Sequence, residues 1–182
     1  CVFIGRLVRD KGIEELVEAF NRLKLQFSNV RLLLVGPFEP KLDPISEKTA
    51  QLIGTDERIT LVGFQQDVRP YYMISHALAF PSYREGFPNV PMQAGCFDLP
   101  CVVTDINGCN EIIEEEENGL IIPAKDVDRL ESAMKRLMQD ENLYLHMKKQ
   151  ARRMIVERYE QQLLWNIILK EYQEQIQHAT LS

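Results

Sequence analysis

The sequence predicts a doubly wound, Rossmann-like α/β sheet of about six parallel strands, followed by C-terminal helices. Three observations predict it. Short apolar, β-branched runs alternate with amphipathic stretches along most of the chain. Runs such as Leu32-Leu33-Leu34-Val35 are apolar on both faces, as a parallel sheet covered by helices requires. The residues with unusual chemistry fall just after strands, where open α/β sheets bind their ligands.

Strands are expected over residues 1–5, 31–36, 58–62, 77–81, 101–105 and 119–122. Between the first two, Ile13, Leu16, Val17, Phe20, Leu23 and Phe27 are spaced as one face of a helix. Pro91 lacks an N–H, which suits the first turn of a helix beginning near Pro88 or Asn89. Residues 110–117 read as a short helix ending at the Asn118-Gly119 turn, with Glu114, Glu115, Glu116 and Glu117 as a solvated face. Beyond Pro123 the pattern is helical throughout. Asp126 reads as an N-cap, followed by Leu130, Ala133, Met134, Leu137 and Met138 on one face. Two further helices are expected over residues 141–158 and 161–177. The last carries Leu163, Leu164, Ile167, Ile168 and Tyr172, with Trp165 nearby, a stripe broader than one neighbour would bury. The expected division is a sheet domain over 1–159 and a C-terminal helix over 160–182.

A chain of 182 residues that is 45% hydrophobic and 26% charged supplies one sizeable core. Its net charge of −6 argues against a nucleic-acid binder, which needs a clustered basic field. No apolar run approaches the roughly 18 residues that span a bilayer. Cys1, Cys96, Cys101 and Cys109 show no C-x-x-C spacing and only three histidines occur, so no metal site is expected. Cys96 and Cys101 read as small buried hydrophobes, and a reducing cytoplasm is the expected compartment. Cys1-Val2-Phe3-Ile4-Gly5 is a core strand without a preceding methionine, as in a piece of a longer protein.

Two loops carry the chemistry. Residues 5–12 place Arg6 and Lys11 at the carboxyl end of a strand and before a helix, where cations stabilise a departing diphosphate. Read alone, they are more simply two ordinary surface cations. In residues 81–93, Glu85 precedes a helix N-terminus, Gly86 lets backbone approach a ligand, and Gln93 lies a turn inside. A carboxylate there accepts from sugar hydroxyls; the plainer reading is a capping carboxylate in a proline-shaped turn. Asp126-Val127-Asp128 spells a metal motif of another fold, but Asp at a helix start is first a cap. His76 reads as structural. Lys148, Lys149, Arg152 and Arg153 read as a solvated face, with peripheral contact to anionic lipid as the alternative.

Six segments then occur in a fixed order: Gly5-Arg6-Leu7 with Lys11-Gly12, Val35-Gly36, Val62-Gly63-Phe64, Pro81-Ser82 with Glu85-Gly86-Phe87-Pro88, Thr104-Asp105 with Gly108 and Glu111-Ile112-Ile113, and Asn118-Gly119-Leu120-Ile121-Ile122-Pro123. Over residues 1–159 this resembles the C-terminal domain of the retaining GT-B glycosyltransferases, a group that includes sucrose synthase and many bacterial polysaccharide transferases. The resemblance implies a nucleoside-diphosphate sugar as donor and no metal or other cofactor. It implies hexosyl transfer to a saccharide or glycolipid in polysaccharide or cell-envelope assembly, with the acceptor held by a separate N-terminal domain. It also implies a terminal helix that crosses back to that domain. By position, Arg6, Lys11 and Glu85 match the catalytic set, the two cations on the diphosphate and the glutamate on sugar hydroxyls. Gly5, Gly63, Phe64, Gly86, Phe87, Pro88 and Gln93 match donor-binding positions, Gly63 and Phe64 beside the nucleobase. Gln93 stands where the family has a ribose-binding glutamate; an amide still accepts one hydroxyl bond and donates another. Gly108 and Glu111 read as structural. Two other functions fit less of the pattern: a non-catalytic nucleotide-sugar-binding module, and a nucleotide-sugar epimerase.

Overall fold

The computed structural model describes residues 1–39 and 41–180. Six parallel strands form one sheet: β1 Val2–Ile4, β2 Leu32–Val35, β3 Ile59–Gly63, β4 Leu78–Phe80, β5 Cys101–Thr104 and β6 Gly119–Ile122, in the order β3-β2-β1-β4-β5-β6. Each falls within the range expected or overlaps it closely. The winding reverses between β1 and β4, which pair only at Val2↔Leu78. Beyond that contact the two strands share no further ladder partner, and open α/β sheets place their ligand crevices at the carboxyl ends of strands at such a reversal.

Helices cover both faces because the strand side chains on both faces are apolar. Helix α1 (Ile13–Gln26) buries Ile13, Leu16, Val17, Phe20 and Leu23, the stripe its spacing predicts. Helices α2 (Glu47–Thr55) and α3 (Arg69–Met73) follow β2 and β3. Helix α4 (Asn89–Cys96) lies against α7 (Glu141–Tyr159) through Gly95; a Cβ there would fall 2.5 Å from Ile155 Cγ1. Helix α6 (Val127–Gln139) begins at Asp126, whose carboxylate accepts from the Arg129 N–H at 2.9 Å. It packs on α1, and Asp128 meets Arg22 at 2.6 Å across that contact. Lys148, Lys149, Arg152 and Arg153 all lie exposed on α7.

Three expectations need correction. Helix α5 is only Cys109–Ile112, not 110–117. Buried Asn118 stops it: its amide donates to Ile112 O at 3.1 Å, and its Oδ1 accepts from Glu114 N–H at 2.8 Å. Residues Glu114–Glu117 are therefore an exposed turn, with Glu116 at a φ of 64°. Their carboxylates meet Arg158, the Ile121 N–H, Arg136 and His146 in turn. Cys96 is exposed, not buried: Gly95 takes the face toward α7, and the next residue turns roughly 100° away. Met138 likewise falls outside the buried face formed by Leu130, Ala133, Met134 and Leu137.

Helix α8 (Gln161–Thr180) continues the chain beyond α7. Leu164, Trp165, Ile167, Ile168 and Tyr172 are all exposed, so this stripe does not pack on its own domain. The side chain of Leu163, counted in the expected stripe, lies outside the described residues. No helix among the described residues is long and apolar enough to cross a membrane.

The α5 ending is open to test. Replacing Asn118 by Ala strands the buried Ile112 carbonyl and the part-buried Glu114 N–H, and should destabilise the chain by about 1–3 kcal/mol in urea unfolding. A loss below about 0.5 kcal/mol would show that the turn holds without this side chain.

Candidate functional site

The crevice between β1 and β4 is built by contact between backbones. Gly12 sits at φ 69°, and a Cβ on it would lie 2.1 Å from Pro81 O. Gly108 sits at φ 79°, with its would-be Cβ 2.2 Å from Gly86 O. Only glycine meets both conditions at either point, because the left-handed conformation and the lack of space each exclude a side chain. The segment after β4 is thus clamped between the segments after β1 and β5.

Polar contacts complete the clamp. Asp10 O accepts from the Tyr83 N–H at 2.8 Å, and the Ser82 hydroxyl lies between Arg84 O at 3.2 Å and Asp10 O at 3.4 Å. The buried Thr104 hydroxyl donates to Ser82 O from the β5 side. The Tyr83 hydroxyl donates to Glu15 Oε1 at 2.6 Å, and Lys125 Nζ lies 4.7 Å from the Tyr83 ring centre. Burial first, then Glu15, pushes the Tyr83 hydroxyl above the ordinary tyrosine range.

Within this frame the Lys11 ammonium meets Glu85 Oε1 at 2.5 Å, with the two side chains only 14% and 16% exposed. The contact joins residues 74 positions apart. Cys109 lies near enough to feel the Glu85 charge. Its thiol is pushed up to about 12, mainly by burial and then by that charge, so it stays protonated beside the pair. Lys11 has three N–H donors, and Glu85 takes one of them. The other carboxylate oxygen of Glu85 keeps its accepting capacity.

The remaining expected positions surround this pair at different depths. Gly5 is half-buried at the end of β1, its N–H bonded to Val35 O at 2.9 Å. Arg6 lies on the exposed rim and meets Glu39 at 3.5 Å; the structure does not bring it to the Lys11–Glu85 pair. An exposed pair of this kind contributes little, so the guanidinium is cheaply released to another anion. At Gly86 a Cβ would meet no atom within 4 Å. Phe87 is half-exposed, its ring packed edge-on against Tyr159 at 5.6 Å. Pro88 is buried as the N-cap of α4 and offers no side-chain cap, so the first N–H groups of that helix have no capping oxygen. Gln93 is exposed one turn further, against the hydroxyl of Tyr72. Gly63 ends β3 and Phe64 follows it, two strand positions from β1 and hence about 10 Å away. Phe64 is largely exposed there.

Sequence reasoning missed Asp10, Tyr72, Tyr83 and Thr104. Their role comes from partners far along the chain, which no local pattern reveals. The Asp126–Asp128 pair is engaged elsewhere, one carboxylate capping α6 and the other facing Arg22. Among the described residues no three His, Cys, Asp or Glu side chains converge.

Comparison with known proteins decides the family. The description "Glycosyl transferases group 1" matches residues 1–154. The chain belongs to the glycosyl transferases group 1 family. It is 26% identical over 170 residues to the capsular polysaccharide biosynthesis glycosyltransferase CapM of Staphylococcus aureus, covering 93% of this chain and 44% of CapM. HepE from Anabaena, solved in complex with UDP, superposes with a TM-score of 0.85 at 21% identity, over 95% of this chain and 48% of HepE. Sucrose-phosphate synthase from Thermosynechococcus elongatus gives 0.80 at 26% identity, over 97% and 45%. The fold is the C-terminal half of GT-B, as the sequence resemblance implied. The chain spans about half the length of the relatives it matches.

Two stability measurements test the built site. Gly12→Ala should cost at least about 2 kcal/mol, whereas Gly86→Ala should change stability by less than about 0.5 kcal/mol. Lys11→Met, which leaves Glu85 unpaired, should cost about 2 kcal/mol, less than for a fully buried pair because some solvent reaches both groups. A Lys11→Met chain as stable as the parent would mean the pair is not structurally coupled.

Proposed function

We propose that this chain is the donor-binding half of a retaining, metal-independent glycosyltransferase that uses a nucleoside-diphosphate sugar. The observation that carries the reading is the Lys11–Glu85 contact at the sheet's reversal point, beside the uncapped N-terminus of α4. Lys11 directs its remaining donors at the diphosphate, and Arg6 swings from Glu39 to join it. The α4 N–H groups receive phosphate oxygens. Glu85, held by Lys11, turns its second oxygen to the sugar hydroxyls, and Gly86 leaves room for the sugar. The base lies over Gly63 and Phe64 on the β3 side. That span of about 10 Å suits a nucleoside between base and phosphate.

In the reaction, the acceptor oxygen bonds to the anomeric carbon as the bond to the diphosphate oxygen breaks on the same face. The acceptor's proton passes to the departing phosphate, so no protein nucleophile is required. Lys11, Arg6 and the helix N-terminus stabilise the charge that grows on the leaving group. The acceptor is a saccharide or glycolipid bound by an N-terminal domain, and the exposed face of α8 docks on that domain. Both the name of CapM and the share of it that this chain covers support this division.

Calorimetric titration of UDP, GDP and ADP against this chain should show binding of at least one. Arg6→Ala should weaken it by about 1.5–3 kcal/mol, the scale of one charge-assisted hydrogen bond. Equal affinity of parent and variant would remove Arg6 from the site. The full-length enzyme should transfer equally well with and without EDTA; activity lost to EDTA and restored by manganese would refute metal independence. This chain alone, given labelled donor and a cell-envelope lipid extract, should form no glycoside.

A further inference from the structure

Gln93 stands where the family pattern has a carboxylate, and the two groups are not equivalent. A carboxylate accepts through either oxygen, whereas an amide has one accepting end and one donating end. Which end faces a ligand must therefore be set by something else. Tyr72 lies directly behind it. This α3 residue is 1% exposed, and its ring stacks on Phe97 with centroids 5.5 Å apart and planes within 16°. Packing thus fixes where its hydroxyl sits.

That hydroxyl oxygen lies 3.2 Å from Val90 O and 3.3 Å from Oε1 of Gln93. Both are acceptors, and one hydroxyl proton serves only one of them well. The Val90 carbonyl can do nothing but accept. The Gln93 amide can rotate by half a turn about its last side-chain bond, exchanging nitrogen for oxygen with almost no change of shape. In that orientation the hydroxyl donates to Val90 and accepts from the Gln93 NH2. Two hydrogen bonds replace one contested proton. Burial holds the Tyr72 hydroxyl above the ordinary tyrosine range, so it keeps its proton for Val90.

We propose that Tyr72 is a positioning residue that locks the Gln93 amide with its carbonyl outward, where it accepts a hydrogen bond from a ribose hydroxyl. The glutamine thereby presents the same accepting oxygen that a glutamate would. The proposal rests on the donor-site reading given above, and it extends that site to a residue on a different helix. It also accounts for how the chain departs from the glutamate pattern while keeping a ribose contact.

The test compares UDP with 2′,3′-dideoxy-UDP by calorimetry, or the matching pair for whichever base binds. The chains are the parent, Tyr72→Phe, Gln93→Ala, Gln93→Glu and the double variant Tyr72→Phe with Gln93→Glu. Phenylalanine keeps the stack on Phe97 and removes only the hydroxyl. The parent should favour the ribose form by about tenfold, one to two neutral hydrogen bonds. Tyr72→Phe should cut this preference to about threefold while leaving the dideoxy affinity unchanged. Gln93→Glu should keep the preference, and adding Tyr72→Phe to it should change little, because either carboxylate oxygen accepts. Tyr72→Phe weakening both ligands equally, or changing neither, would overturn the proposal, as would an equal loss in the Gln93→Glu background. Failure of the donor-site reading looks different: a parent with no ribose preference, or Gln93→Ala leaving it intact, would remove Gln93 from the site altogether.

Discussion

The contact between Lys11 and Glu85 depends on two backbones touching at Gly12 and Pro81. A lysine after β1 and a glutamate after β4 come from segments that the sheet's reversal would otherwise separate. The clamp brings them together: Asp10 O holds the Tyr83 N–H, Thr104 holds Ser82 O, and Gly108 lets the segment after β5 press on Gly86. Once the clamp is set, the carboxylate has one oxygen on the lysine and one to offer. The same clamp holds Pro88, at the start of α4, against Gly108. Cation, carboxylate and helix N-terminus are therefore consequences of one packing arrangement.

Much of this was legible in the sequence, for identifiable reasons. The central strands were legible because a sheet covered on both faces needs apolar side chains on both, as in the run Leu32-Leu33-Leu34-Val35. The α1 face and the Asp126 cap followed from spacing and cap chemistry. The length of α5 was not legible, because Asn118 stops it through a side chain that reaches back six residues. Cys96 was misplaced because composition does not say which side of α4 faces α7; Gly95 decides that. Lys11 and Glu85 were each singled out, but their meeting across 74 residues is a tertiary fact. Tyr72 and Tyr83 carried no local signal at all.

The periphery of the domain follows a different logic from its crevice. Arg6, Phe64 and Gln93 are exposed, in contrast with the nearly enclosed Lys11–Glu85 pair. An enclosed centre with an exposed rim is the arrangement on which the proposed donor site rests. Helix α8 adds an apolar face with Trp165, Ile168 and Tyr172 toward solvent. A face of that breadth is the observation behind the docking role proposed for α8.

The most direct measurement is a crystal structure of this chain with a bound nucleoside diphosphate. The diphosphate should lie with an oxygen about 3 Å from Lys11 Nζ and another at the first N–H groups of α4, with the base toward Gly63. A diphosphate bound away from the β1–β4 crevice, or one that leaves Lys11 untouched, would contradict the central claim.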